Sequence, residues 1–246
     1  MAFNNATNNN NYTWYGPSFV GVKYTTVSQY ITSTGDTTLY TVPSDKRVIV
    51  GSISVINKDA VNTNTIYFKV NVSSTDYQIT GSTSVAASGT LDSGNMLSMV
   101  FEPGDILKIN NTRNTLVNLA IMEYAKEIPL YSPRVLSIST TDTTLYTVPA
   151  NKKAMVCYPL RTNVTAYYLN LSGSNKNITC NFVNSGGSIS TNNQFLPSKL
   201  VPNNSLLGTI PGAESAFASL SAGDFVNITV SATTATQTAW VTVYEV

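Results

Sequence analysis

Histidine is absent from the 246 residues of this chain, and only two cysteines are present. Histidine is the commonest general base and a common transition-metal ligand, so its absence excludes Ser-His and Cys-His nucleophile pairs. A zinc site built from cysteine alone needs four thiolates, twice the number available. We therefore expect no catalytic residues, no metal ligands and no cofactor, although the Asp, Asn and Thr of the loops leave calcium binding open.

Charge is also scarce in this sequence. Charged residues make up 11% of the chain, and 14 Lys and Arg nearly balance 13 Asp and Glu, giving a net charge of +1. Such a chain has no long-range field to attract phosphate backbones or anionic membranes. No run approaches the roughly 18 uninterrupted apolar residues of a membrane span, and the Asn-rich start lacks the features of a secretory signal. We therefore expect a soluble protein with no nucleic-acid partner and no membrane partner.

The two cysteines, Cys157 and Cys180, both lie in the second half of the chain. They could face each other on neighbouring strands, or they could be two small buried residues. The sequence leaves both interpretations open.

Asn, Thr and Ser take the place of the missing charge, and Thr, Val, Ile and Tyr are used throughout the chain. Exposed helix faces usually carry Glu, Lys, Arg and Ala, whereas β-branched and aromatic residues favour strands. Short alternating segments separated by polar turns are typical of antiparallel sandwiches. The sequence therefore predicts an all-β protein of antiparallel β-sandwich type, with a jelly-roll-like arrangement of strands.

An internal repeat gives the organisation of the chain. The octet Asp-Thr-Thr-Leu-Tyr-Thr-Val-Pro occupies residues 36–43 and returns unchanged at 142–149, an offset of 142 − 36 = 106 residues. A second match, residues 103–109 with 222–228, has an offset of 119, so the second copy carries about 13 extra residues. We expect most of them within 198–219, where prolines and a glycine mark a loop.

These matches predict two tandem sandwiches, although one large domain is a competing interpretation. We place an N-terminal arm at 1–30, the first sandwich at 31–126, a linker at 127–134 and the second sandwich at 135–246. The strand predicted at 165–171 is expected to repeat the strand at 65–72.

Six residues at repeated turns are expected to have structural roles. Glycine takes a positive φ without steric cost, and aspartate bonds neighbouring turn amides, which directs the chain into the next strand. The turn residues are Pro43, Gly104, Asp105, Pro149, Gly223 and Asp224.

Aromatic residues outside the predicted strands are candidate interface residues, because rigid aromatic side chains often anchor protein contacts. The arm combines a polar stretch with a cluster of aromatics and could dock onto a neighbouring sheet edge. It could equally be a first strand that covers its own sandwich. The candidate interface residues of the arm and linker are Tyr12, Trp14, Tyr15, Phe19 and Tyr131.

Paired carboxylates could in principle hydrolyse glycosides. The candidates outside the N-terminal turns are Glu102, Asp105, Glu123, Glu127, Glu214, Asp224 and Glu245. Four of these recur at corresponding positions in the two copies, which favours a shared structural role over one active site. The sequence therefore predicts that the protein is not an enzyme.

The string at 143–153, Thr-Thr-Leu-Tyr-Thr-Val-Pro-Ala-Asn-Lys-Lys, with Ala-Gly-Asp at 222–224, resembles a small β-sandwich module of tailed-bacteriophage virion proteins. The first copy carries the same signature at 37–47 and 103–105. The resemblance implies a non-enzymatic virion structural protein, either a capsid decoration or cement protein or a neck or tail accessory protein. It also implies a homo-oligomer that contacts the major capsid, neck or tail proteins and is assembled in the host cytoplasm.

An alternative function is a receptor- or carbohydrate-binding module associated with a tail or fibre. Aromatic faces stack on pyranose rings, and the predicted insertion at 198–219 could shape a pocket in the second copy alone. A glycan is therefore a further candidate partner.

Overall fold

The computed structural model describes residues 22–93, 99–138, 141–156, 166–209, 218–232 and 236–246, and it also describes the backbone of 3–7 and 13–17. These residues form antiparallel strands and a single-turn 3-10 helix at Thr191–Asn193, with no α-helix among them. The predicted all-β class is thereby confirmed. Within the described residues no helix has the length and apolar character needed to cross a membrane.

The described residues of the first half form twelve strands. They are β1 (Phe3–Thr7), β2 (Thr13–Pro17), β3 (Lys23–Ile31), β4 (Gly35–Thr41), β5 (Lys46–Asn57), β6 (Asn64–Val72), β7 (Thr75–Gln78), β8 (Thr83–Val85), β9 (Thr90–Ser93), β10 (Val100–Phe101), β11 (Ile106–Asn111) and β12 (Thr115–Ala125).

Two five-stranded sheets form the body of this half, and β1 and β2 form a separate hairpin. One sheet has the order β10-β5-β12-β3 with β9 also on β5, and the other has the order β4-β11-β6-β7 with β8 also on β6. Buried and exposed residues alternate along β6, as expected of a strand with one face on a core. Residues of both sheets, such as Val55 and Phe68, belong to one buried apolar cluster, which we call the first core.

The second half contains the remaining strands. They are β13 (Leu130–Tyr131), β14 (Arg134–Val135), β15 (Asp142–Thr147), β16 (Ala154–Val156), β17 (Ala166–Asn170), β18 (Lys176–Val183), β19 (Gln194–Val201), β20 (Ser205–Thr209), β21 (Ala218–Leu220), β22 (Phe225–Val230), β23 (Gln237–Val241) and β24 (Val243–Glu245). They form three four-stranded sheets, β15-β22-β18-β19, β13-β24-β16-β21 and β14-β23-β17-β20. Residues of all three sheets share a second core.

Strand order shows how the two halves correspond. The sheet β15-β22-β18-β19 repeats β4-β11-β6-β7, and the other two sheets together repeat the sheet that contains β3, β12 and β5. The strand β17 therefore matches the end of β5, and β18 matches β6. The expected match of residues 165–171 with 65–72 is wrong, because alternation alone does not tell one strand from its neighbour.

The extra residues of the second half are spread along the chain. Equivalent strand pairings match Asn57 with Asn170, an offset of 170 − 57 = 113, and Phe101 with Leu220, an offset of 220 − 101 = 119. Since the octets differ by 106, seven residues are added before Asn170, between Val156 and Ala166. The expected concentration at 198–219 is therefore not what the structure shows.

Two segments expected to lie outside the sandwiches are edge strands beside the last strand of each half. The strand β3, which lies within the expected arm 1–30 except for Ile31, pairs with β12 over nine residues. In the same way β13 and β14, which lie mostly within the expected linker 127–134, pair with β24 and β23. The linker is therefore part of the sheet structure of the second half.

The two halves pack against each other through buried residues. Trp240 of β23 is fully buried and belongs to the first core. A third apolar cluster joins the two halves directly and contains Ile49, Val100, Met122, Tyr124, Leu130 and Tyr244. The two halves therefore share buried apolar surface and form one packed body.

Candidate functional site

The Gly-Asp turns have the same geometry in both halves. Gly104 and Gly223 adopt φ values of +85° and +83°, in the left-handed region that favours glycine. The Gly104 N–H donates to the Val42 carbonyl at 3.1 Å, and the Gly223 N–H donates to the Val148 carbonyl at 3.0 Å. Each turn is thereby tied to the end of the strand that carries the repeated octet.

Side-chain and backbone bonds of the turn aspartates and prolines also recur. Oδ2 of Asp105 accepts the Glu102 N–H at 2.8 Å, and Oδ2 of Asp224 accepts the Ser221 N–H at 2.8 Å. The carbonyls of Pro43 and Pro149 accept the N–H three residues ahead, at 3.1 and 3.2 Å. These contacts involve backbone groups of the protein itself, which is how structural turns are held.

Asp105 differs from its counterpart in having a charged partner. It is buried and lies 2.7 Å from the Nη2 atom of Arg134, whose side chain is itself only 10% exposed. Oδ1 of Asp224 instead accepts the backbone N–H of Ser185 at 2.9 Å. The first Gly-Asp turn therefore receives a cation from the segment that joins the two halves.

A second repeated arrangement pairs a tyrosine with the glutamate of each last strand. Tyr40 donates its hydroxyl hydrogen to Glu123 at 2.9 Å, and Tyr146 donates to Glu245 at 2.7 Å. Tyr131 also donates its hydroxyl hydrogen to Glu245. In the first half the equivalent residue is Thr25, which donates to Glu123. Both carboxylates are thus held by hydroxyl groups of neighbouring strands.

The electrostatics of these pairs favour protonated tyrosines. Burial raises the pKa of Tyr146 to about 12, and burial together with the Glu123 carboxylate raises the pKa of Tyr40 further above its ordinary value. Burial also raises the pKa of Glu245, while the charge of Arg47 opposes that shift. At neutral pH both tyrosines are hydrogen-bond donors, and the pairs serve to fix the last strand of each half.

The aromatic residues expected at an interface have different positions. Tyr12 and Phe19 lie outside the described residues, and the structure describes only the backbone of Trp14 and Tyr15, both in β2. Tyr131 lies in β13 with the Arg47 guanidinium 5.3 Å from its ring centroid. Its place is at the junction of the two halves.

The cysteine pairing is not tested, because Cys157 lies outside the described residues. Cys180 is buried in β18, and burial raises the pKa of its thiol to about 12. A thiol with such a pKa remains protonated and unreactive at neutral pH.

Two buried asparagines have structural roles that the sequence did not reveal. The Asn57 Nδ2 atom donates to three backbone carbonyls at 2.8 to 3.2 Å, and its Oδ1 atom accepts the N–H two residues ahead. Asn170 makes the same set of bonds at 2.8 to 3.2 Å. In the sequence each of them is an asparagine at the end of an alternating strand. Asparagine is common in polar turns, so this position alone did not mark Asn57 and Asn170 as buried.

Two exposed tyrosines lie on one face of the sheet that contains β3. Tyr24 and Tyr30 of β3 are 77% and 56% exposed. Between their strand and β5 lies a shallow cavity of ≈ 320 Å³, lined mainly by small and polar side chains of β3, β5, β9 and β12. No group of three or more His, Cys, Asp or Glu within the described ranges is placed to hold a metal ion.

No protein-family model and no curated protein matches this chain. Among solved structures, a peptide-N(4)-(N-acetyl-β-D-glucosaminyl) asparagine amidase is similar over 91% of this chain and 96% of its own, with 12% identity and a TM-score of 0.38. The tandem CBM22 domains of Paenibacillus barcinonensis Xyn10C cover 92% of this chain and 91% of their own, with 10% identity and a TM-score of 0.25. A Penaeus vannamei nodavirus structure covers 99% and 95%, with 12% identity and a TM-score of 0.23. Similarities this low carry no argument about function.

Proposed function

We propose that this chain is a non-enzymatic structural protein of a tailed-bacteriophage virion, acting as a capsid decoration or cement protein or as a neck or tail accessory protein. The observation that carries the proposal is the long edge strand β3 at the end of the expected arm 1–30, which pairs on one side only among the described strands. The resemblance of the duplicated octet and Gly-Asp turns to phage virion modules supports it.

We propose in addition that each half is a jelly-roll-like sandwich. The first core takes residues from two facing antiparallel sheets, and the second core takes residues from the three sheets of the second half. Buried contacts such as Arg134 with Asp105 join the halves. A body of this kind is suited to presenting its surfaces to identical neighbours around a symmetry axis.

The edge of β3 provides a specific means of assembly. Of the described strands only β12 pairs with β3, so one edge of β3 presents its backbone N–H and C=O groups along nine residues. Such an edge accepts an added strand from another chain. We propose that the part of the arm before β3, residues 1–21, of a neighbouring copy supplies that strand, which makes the protein a homo-oligomer in the virion.

The contacts of the candidate acids support a non-enzymatic role. Glu102 pairs with Arg47 at 2.8 Å, and Asp105 pairs with Arg134. Glu123 and Glu245 accept hydrogen bonds from tyrosines. Each of these carboxylates contributes to the fold, which leaves it poorly placed to exchange protons with a substrate.

Analysis of purified virions tests the proposal. Mass spectrometry should find the protein in gradient-purified particles, and a particle map should place it at the capsid surface, neck or tail. A copy number close to that of the major capsid protein would indicate decoration, and tens of copies would indicate a neck or tail position. Absence of the protein from intact particles would reject the virion role.

The arm can be tested separately with the isolated protein. Deletion of residues 2–21 should reduce the oligomer to a monomer in light scattering and leave the thermal unfolding temperature nearly unchanged, because β3 remains intact. An oligomer that persists after the deletion would show that assembly uses another surface.

A further inference from the structure

The exposed face of the sheet formed by β3, β12, β5 and β9 has a regular arrangement of side chains. Tyr24 and Tyr30 are six residues apart on β3, and since alternate residues share a face, both point outward on the same side. At about 3.3 Å per residue the two rings are separated by roughly 20 Å along the strand.

Cross-strand register places small polar side chains between the two tyrosines. One row contains Thr26, Ala120 and Ser52, and the next row contains Ser28, Asn118, Ser54 and Asp92. Because these side chains are short, they leave the shallow cavity of ≈ 320 Å³ in the sheet face. We call this surface, with the two flanking tyrosines, the tyrosine trough.

Hydrogen-bonding groups line the tyrosine trough. The Ser28 hydroxyl donates to Oδ1 of Asn118 at 2.7 Å, which fixes the amide so that its Nδ2 atom is the group oriented to donate elsewhere. The hydroxyls of Ser52 and Ser54 and the carboxylate of Asp92 add donors and acceptors. No lysine or arginine lines the cavity, so it offers no cation to an anionic ligand.

The second half of the molecule covers one end of the same sheet face. Ile49, Met122 and Tyr124 belong to the third apolar cluster, together with Leu130 and Tyr244 of the second half. The apolar part of this face is therefore already used to join the two halves. The part that no described residue covers is a floor of short side chains, with aromatic rings at its two ends.

We propose that the tyrosine trough binds a neutral oligosaccharide chain that lies along β3 and β12. The rings of Tyr24 and Tyr30 present electron-rich faces on which the C–H groups of sugar rings can stack. The hydroxyl, amide and carboxylate groups between them match the hydroxyl groups of the sugars. A protein partner would instead require large apolar side chains at the centre of the contact, where this surface has Ser28, Asn118 and Ser54.

The proposal does not depend on the virion role, because it concerns side chains on the sheet face, whereas the proposed assembly uses the backbone edge of β3. Binding by the isolated protein and incorporation into particles can therefore fail separately.

Affinity electrophoresis and isothermal titration calorimetry of the intact protein test the proposal. The probes are the neutral polysaccharides dextran, xylan, mannan and laminarin, with polygalacturonate as an acidic comparison. At least one neutral polymer should bind, and polygalacturonate should bind more weakly or not at all. Tyr24→Ala and Tyr30→Ala should each weaken binding about two- to tenfold, as expected for the loss of one aromatic stacking contact.

Two further variants make the result specific. Ala120→Trp places a large side chain in the trough from an exposed position and should abolish binding. Tyr67→Ala removes an outward-facing tyrosine from the other sheet of the same half and should leave binding unchanged. Circular dichroism and the unfolding temperature of each variant show whether it is folded.

Three outcomes would overturn the proposal. One is that no neutral polymer binds the wild-type protein. Another is that Tyr30→Ala and Ala120→Trp bind as the wild type does. The third is that the wild-type protein binds no polymer and Ala120→Trp changes its oligomeric mass. The trough would then be a contact between protein subunits.

Discussion

Buried asparagines Asn57 and Asn170 hold the end of a central strand in each half against two loops. Each amide donates to three backbone carbonyls. Both side chains are almost fully buried, at 1% and 0% exposure. The cost of removing such a group comes mainly from the backbone carbonyls that lose their donor.

Replacing Asn170 with alanine should therefore lower the free energy of unfolding by about 2 to 3 kcal/mol, because buried acceptors are left unsatisfied. Urea denaturation followed by circular dichroism measures the change. Asn177→Ala, at an exposed position of β18, is the matched control and should change the stability little. Equal stabilities of the two variants would contradict the role assigned to Asn170.

At the scale of single residues, the sequence predicted the roles of residues that recur in both copies of the repeat. Gly104 and Gly223 stood out because they recur before a strand, and a positive φ is a property of the residue itself. The ion pair of Arg134 with Asp105 could not be found in this way. It joins side chains 29 positions apart, and it depends on how the two halves pack.

At the scale of elements, the outer face of the sheet β4-β11-β6-β7 carries a network of opposite charges. Lys69 lies 2.6 Å from Asp36, and Lys108 lies 2.9 Å from Asp76. Hydrogen bonds from Asn71 and Lys108 hold the pKa of Asp76 below its ordinary value of 3.8, although burial opposes the shift. The network therefore makes the contribution of this sheet to the free energy of unfolding depend on pH.

A carboxylate whose pKa is lower in the folded protein stabilises it at pH values above the unfolded pKa. That contribution is lost as the pH falls through the folded pKa, so the free energy of unfolding should decrease below about pH 4. Asp76→Asn should lose less stability between pH 5 and pH 2 than the wild type does, as measured by urea denaturation at each pH.

Lys108→Gln provides the complementary variant, because it removes one of the groups that lower the pKa of Asp76 and should move the loss of stability toward higher pH. Identical pH profiles for wild type and Asp76→Asn would show that this network does not govern acid stability.

Alternation of residues predicted the type of these elements well but not their partners. Residues 165–171 have the pattern of a strand, and they form one, but hydrogen bonding places it beside β20 and β23. Partner choice depends on long-range pairing and on the lengths of intervening loops, and the seven residues added before Asn170 displaced the expected match.

At the scale of the whole molecule, Trp240 couples the two halves. Its backbone belongs to the second half, and its side chain is fully buried in the first core. Neither repeat alone contains both the tryptophan and its surroundings, so a comparison of the two sequences could not indicate this contact.

Substituting Trp240 with alanine should lower the free energy of unfolding by about 3 to 5 kcal/mol, because a large buried side chain is lost and a cavity remains. Differential scanning calorimetry should show a lower unfolding temperature, with the single transition becoming broader or splitting in two. The control is Leu200→Ala, at a side chain that is 55% exposed. A calorimetric profile for Trp240→Ala that matches the control would mean that Trp240 does not couple the halves.

The edge strands also bear on how the duplication arose. Tyr24 and Leu130 occupy equivalent positions beside the last strand of each half, as do Gln29 and Val135, and both pairs differ by 106 residues, as the octets do. The ancestral gene segment that was copied thus began at least a dozen codons before the octet and included its own edge strand. What now connects the halves was once the beginning of the second copy, and its sequence diverged while its place in the sheet was kept.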